Sequence, residues 1–177
     1  MTMAPSNRIS LGFMWLRQRD GVTCGPSVAV MAGAILDAEY GAALKAERAQ
    51  QWFDTEQGRV HRAVNRVWPR ALGTTPAGIA RAFNARSAIR YRWRPARRSD
   101  PLADVRAALE QGWPVAMLIG SVIPRHWVLL TEVKGSALRC YEPSSGRLVD
   151  VEIGDIRSGA LKGVGFPRPF AFVLPVR

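Results

Sequence analysis

The chain has 177 residues, 47% of them apolar, and a formal net charge of +11 from 25 basic and 14 acidic side chains. That length suits a single domain with a real core, and no uninterrupted apolar run approaches the roughly 20 residues that a membrane-spanning helix needs. Two cysteines and two histidines are too few for a disulfide framework or a recognisable zinc pattern, so neither metal nor cofactor is expected.

All but three of the basic residues are arginine. A balance this basic attracts nucleic acid, acidic protein or anionic lipid in general terms, but the chain has no compact basic run interleaved with aromatics. Its densest stretch, Arg90–Arg98 (RYRWRPARR), sets Tyr91 and Trp93 alternately with arginines, which is the pattern of a half-exposed strand. No specific nucleic-acid partner is expected. The first twenty residues, MTMAPSNRISLGFMWLRQRD, lack the basic-then-apolar plan of a signal peptide. The default expectation is a cytoplasmic protein, compatible with export by a route that needs no cleaved leader.

Residues 1–9 are polar and expected to be loose, and Ile9–Leu16 reads as a short strand or extended arm. The stretch Gln18–Leu36, QRDGVTCGPSVAVMAGAIL, predicts a helix with Cys24 at its tip. Pro26 falls in the first turn, where its missing N–H has no helical partner to lose. Val28, Met31, Ala32 and Ile35 recur at helical spacing. Asp37–Gln57 reads as a second helix closed by Gly58, and Arg59–Trp68 as a further turn or two stopped by Pro69. Thr74-Thr75-Pro76 starts another helix with Ile79, Ala80 and Phe83 as its buried face. Ile89–Trp93 is a strand, and Asp100-Pro101 opens a capped helix that ends at Gly112.

From there the pattern turns to strands: Trp113–Ile119, His126–Val133, Ala137–Glu142, Arg147–Ile153 and Phe170–Val176, with Gly154–Gly165 as a connecting loop. Helices come first and strands last, without βαβ alternation. The order predicts an α+β fold in one domain over residues 1–177, a helical half packed on an antiparallel sheet. Trp15, Trp52, Trp68, Trp93 and Trp113 are assigned to the core, His61 to the surface, and Cys140 to a buried strand position.

A thiol at a helix start meets the positive end of the helix dipole and unpaired N–H groups, both of which favour the nucleophilic thiolate. Nucleophilic cysteine chemistry also needs an imidazole, a group to orient it, and donors for the oxyanion. Cys24, His126 at a strand start and Glu142 at the end of the next strand form one economical set. A three-residue Lys134-Gly135-Ser136 loop puts Ser144 opposite His126 and Glu142 diagonal to it on the same face. A two-residue loop turns Glu142 to the other face, so the set requires an odd loop or a compensating bulge.

At these residues the sequence resembles a known family. Gln18, Cys24-Gly25-Pro26, His126-Trp127-Val128 and Glu142-Pro143 with Gly146 are similar to the papain-like cysteine peptidases, and most of all to the bacterial double-glycine-leader (bacteriocin-processing) peptidases and their stand-alone relatives. The likeness also covers Gly73–Phe83, Leu109–Gly112 and Trp113-Pro114-Val115, and so runs from about Gln18 to Val173. It implies a papain-like fold with Cys24 as nucleophile and His126 as general base, then general acid. Gln18 would donate a side-chain N–H to the oxyanion beside the Cys24 backbone N–H. The third position usually carries aspartate followed by proline in this branch, or asparagine in papain; here it is Glu142, whose extra methylene needs room.

The activity so implied is hydrolysis of a peptide bond through a thioester acyl-enzyme, with a peptide or protein substrate. The same apparatus deamidates glutamine in toxins and effectors of similar fold, for which an inhibitory or immunity partner is a natural companion. A third reading is a non-catalytic module that only holds a peptide.

Overall fold

The computed structural model describes residues 16–65 and 73–176. The readings of residues 1–9, of the arm leading to Leu16, and of Trp15, Trp68 and the stop at Pro69 lie outside them. Helix α1 (Cys24–Leu36) starts at the cysteine and is buried from Cys24 through Ala34. It is apolar or small on every side, as a helix enclosed by its neighbours must be.

The expected single helix over Asp37–Gln57 is three pieces instead: α2 (Ala38–Gly41), a 3₁₀ turn (Ala42–Lys45), and α3 (Ala49–Val64). Asp37 caps α2 by accepting the Tyr40 N–H at 3.1 Å. Gly58 does not end a helix but lies within α3. A Cβ there would stand 2.8 Å from the guanidinium of Arg19, so this glycine serves close approach rather than capping. Because α3 runs on to Val64, Phe53, Gln57, His61 and Val64 form one buried stripe. His61, expected at the surface, is 4% exposed for that reason.

Helix α4 (Pro76–Asn84) begins as expected, with Thr75 Oγ1 accepting the Gly78 N–H and Pro76 in the first turn. Helix α5 (Ala103–Glu110) starts later than Asp100, whose carboxylate accepts the Leu102 N–H. Six strands form one antiparallel sheet in the order β1-β6-β2-β3-β4-β5: β1 (Tyr91–Pro95), β2 (Val115–Gly120), β3 (Pro124–Lys134), β4 (Ala137–Glu142), β5 (Arg147–Glu152) and β6 (Arg168–Pro175). A short helix, α6 (Ile153–Ser158), stands where strand end and loop were expected.

Side chains alternate across the sheet and feed two cores. On one face Tyr91, Leu118, Trp127, Leu129, Tyr141 and Val173 meet Val28, Met31, Phe53, Ile79 and Phe83 from α1, α3 and α4. On the other, Met117, Val128, Leu130, Cys140 and Phe172 meet Leu102, Val105 and Leu109 at α5 and Ile156 of α6. Of the tryptophans assigned to the core, Trp113 is buried and Trp52 partly so. Trp93 is 50% exposed because β1 is an edge strand. Among the described residues no single helix is long and apolar enough to cross a membrane; α1 with Ala38–Lys45 passes that test only as a pair bent by 115°.

Candidate active site

Cys24 is the first residue of α1 and is 6% exposed. The residues after it have local reasons. A Cβ at Gly25 would lie 2.8 Å from Thr74 Cβ and 3.2 Å from Trp127 Cδ1, so glycine is what lets those two close against the helix start. Trp127, 2% exposed, donates its Nε1–H to the Thr74 carbonyl at 2.9 Å. That bond ties the residues before α4 to β3, beside Gly25 at the helix start.

The β3–β4 hairpin supplies the imidazole and the carboxylate. Lys134 pairs with Ala137 across a two-residue Gly135-Ser136 turn, not the three-residue loop expected. Gly135 takes φ +61°, which glycine at the first turn position of a type II′ hairpin supplies without strain. The register then shifts between Leu130 and Glu132, leaving Thr131 as an extra residue in β3. Beyond this bulge Leu129 pairs with Tyr141, and three steps further the same register sets His126 against Ser144. The bulge undoes what the short turn would have inverted. His126 Nε2–H donates to Glu142 Oε1 at 2.7 Å, with both side chains largely buried.

Glu142 has the room its extra methylene needs because the chain after β4 folds round it. Its carboxylate accepts the Ser144 N–H and the Ser145 N–H, each at 2.9 Å. Burial pushes this carboxyl up, but the bonds from His126, Ser145 and Ser144 prevail and hold it down at about 2. Burial likewise pushes the His126 imidazole down. Hydrogen bonds to Cys24 and Glu142 and the charges of both overcome that and raise it to about 9. Nε2 is committed to Glu142, which leaves Nδ1 for the thiol. The ring of Phe166, from the residues before β6, stands 6.2 Å from the imidazole, centroid to centroid.

Gln18 reaches the same place from a different direction. Its backbone N–H donates to the Pro143 carbonyl at 2.8 Å, next to Glu142. Its side chain donates from Nε2 to the Asp20 carbonyl at 2.7 Å and accepts from Ser144 Oγ at 3.5 Å. One amide hydrogen of the carboxamide is thus left for another acceptor. The short segment that carries Gln18 is pinned by Tyr141, whose hydroxyl donates to the Leu16 carbonyl at 2.7 Å. It is pinned again by Gln57, fully buried in α3. Gln57 Oε1 accepts the Arg19 N–H at 3.0 Å and the Ser27 hydroxyl at 2.9 Å, while its Nε2 donates to the Arg17 carbonyl at 3.3 Å.

The structure thus gathers Cys24, His126, Glu142 and Gln18 at one end of the sheet. Gln57 and Phe166 escape a reading of the sequence. Gln57 leaves only one signal, a polar residue on the stripe shared by Phe53 and Val64, and Phe166 leaves none. Cys140 is fully buried in the opposite core, where burial and then the charge of Glu142 drive its thiol far above the ordinary range. No group of three or more His, Cys, Asp or Glu side chains among the described residues could hold a metal ion.

No family model and no curated protein matches the chain. Among solved structures it is similar to the peptidase domain of Streptococcus ComA, a bifunctional ABC transporter of a quorum-sensing pathway. The identity is 14% and the TM-score 0.50, over 93% of this chain and 99% of that one. It is also similar to a double-glycine-motif protease from an AMS/PCAT transporter, solved in complex with the leader peptide. There the identity is 16% and the TM-score 0.48, over 92% of each chain. The ComA likeness spans nearly the whole of both chains, and with the helix-then-sheet order it identifies the fold as that of the papain-like peptidase domains.

Proposed function

We propose that this chain is a papain-like cysteine peptidase that cleaves a peptide bond through a thioester acyl-enzyme. The observation that carries the reading is the His126–Glu142 pair, with the carboxylate on Nε2 at 2.7 Å, together with Cys24 at the first residue of a helix as a group that raises the same imidazole. Cys24 Sγ attacks the substrate carbonyl carbon, and the tetrahedral oxyanion takes the Cys24 backbone N–H and the free amide hydrogen of Gln18. His126, protonated at Nδ1, gives that proton to the leaving amine as the C–N bond breaks. The thioester is hydrolysed when His126 removes a proton from water, and the carboxylate product departs with the thiol restored. Glu142 keeps the ring oriented and stabilises its charged form.

Iodoacetamide labelling followed by peptide mapping tests this. Cys24 is expected to react at least about tenfold faster than Cys140, and His126→Ala is expected to remove that advantage in the folded protein. Slow and equal labelling of both cysteines overturns the proposal. Mass spectrometry of treated peptides separates two fragments, the outcome of peptide hydrolysis, from an intact chain with a deamidated glutamine.

A further inference from the structure

The β2–β3 hairpin ends in a tip that local rules do not explain. Its three residues are Ser121, Val122 and Ile123, with Gly120 paired to Pro124 at the base. Val122 is 86% exposed and Ile123 53%. Turns favour Gly, Pro, Asn, Asp and Ser, each for a backbone reason that β-branched aliphatic residues do not share. A position that breaks local preference without a packing gain is where function is to be sought.

The tip is also held in place. A Cβ on Gly120 would run into the Ile123 carbonyl, so the turn folds tightly back on its own base and only glycine permits it. Pro124 begins β3 two residues before His126, so this fixed apolar projection adjoins the proposed general base. Phe166 adds an apolar ring 6.2 Å from the imidazole, centroid to centroid. Two cations flank the projection. Arg125 directly precedes His126, and Arg168 pairs with Gly120 from β6. Both are exposed, and neither guanidinium has a partner among the described residues.

We infer that the Ser121–Ile123 tip, with Arg125 and Arg168, is a substrate-docking element that takes an extended peptide bearing an aliphatic side chain close to one or more carboxylates. This rests on the peptidase reading above and names the class of substrate. An aliphatic side chain covers Val122 and Ile123, which water otherwise surrounds. Carboxylates beside it meet the unpartnered guanidinium groups, whose planar forks match them bidentately.

The test is cleavage-site profiling of the full chain on a mixed peptide library, read by mass spectrometry. The expected profile enriches an aliphatic residue at one fixed distance from the cut and acidic residues beside it. Val122→Ser with Ile123→Ser flattens the aliphatic preference by roughly tenfold, the scale of a lost apolar pocket contact, through KM rather than kcat. Arg125→Ala with Arg168→Ala flattens the acidic preference. Val122→Asp serves as a second variant that reads a change of specificity rather than a loss, and is expected to turn selection against acidic neighbours. A profile identical in parent and tip variants overturns the inference. So does loss of binding to phosphatidylserine-containing vesicles in the tip variants with cleavage preferences unchanged, which would assign the tip to a membrane. The peptidase reading is tested apart from this, by the burst of p-nitrophenolate from p-nitrophenyl acetate in the unaltered protein. A burst at Cys24 with a flat library profile removes only the docking element; no burst removes the reading beneath it.

Discussion

The imidazole of His126 stays charged to about pH 9 because Cys24 and Glu142 outweigh the effect of its burial. In Glu142→Gln one of those two partners loses its charge, and the His126 titration is expected to fall toward 6.5, as followed by ring-proton NMR. The same shifts set a stability window. His126, raised when folded, contributes in full below about pH 6.5 and loses that contribution as pH climbs through about 9. Glu142, depressed when folded, contributes in full above about 4.5 and loses it as pH falls through about 2. The difference in urea midpoint between the parent and Glu142→Gln is therefore expected to be widest between pH 4.5 and 6.5 and to narrow above 9. At this scale Cys24, His126 and Glu142 were legible as candidates because each stands at or near the end of an element with a clear pattern. Gln57 was not, because a buried carboxamide in a helix has no composition signal apart from its neighbours.

Elements meet the site through single atoms of clearance. Gly25→Ala places a methyl group 2.8 Å from Thr74 Cβ, and the overpacking is expected to cost about 1–3 kcal/mol in chemical denaturation. Gln57→Met keeps the volume but leaves the Arg19 N–H without its acceptor, while the Ser27 hydroxyl keeps the Thr23 carbonyl at 2.7 Å. An N–H so stranded costs about 1–3 kcal/mol at full burial, and this part-buried one is expected to cost toward the lower end. Hydrogen exchange at the Arg19 amide is expected to quicken to the rate of an exposed group, since the bond that protects it is gone. The sequence reading erred at Gly58 and at α6 for a common reason. A glycine is read as a stop, yet Gly58 continues a helix because Arg19 passes over it, and Gly154 sits inside α6. At Gly58 only tertiary contact separates a glycine that ends a helix from one that makes space; Gly154 faces open space.

Across the molecule, the sheet is enclosed by α1, α3 and α4 on one side and α5 and α6 on the other. Cys140 lies in the second of those cores without exposure. Its alkylation is expected to require global unfolding, so that its rate rises with urea along the same curve as loss of tertiary circular dichroism. Labelling of Cys24 reports the site, and labelling of Cys140 reports the whole. The order of elements was legible because periodicity separates helices from strands over most of the chain. The second helical layer at α6 was not, since six residues with two apolar positions give no period to read. The expected turn was wrong in length, yet the facing it was meant to produce is present, because a strand accepts a bulge more readily than a core accepts an inverted face.

Thr131 gives the hairpin an odd kind of address. His126 faces Glu142 because the residues between them number as they do. Deleting Thr131 alone would exchange inside for outside from Pro124 to Leu130, sending Trp127 away from Thr74 and His126 away from Glu142. Deleting it while lengthening the Gly135-Ser136 turn by one residue restores the count. The single deletion is expected to abolish fast labelling of Cys24 and the paired edit to recover it, so that two lesions in one hairpin are milder than one.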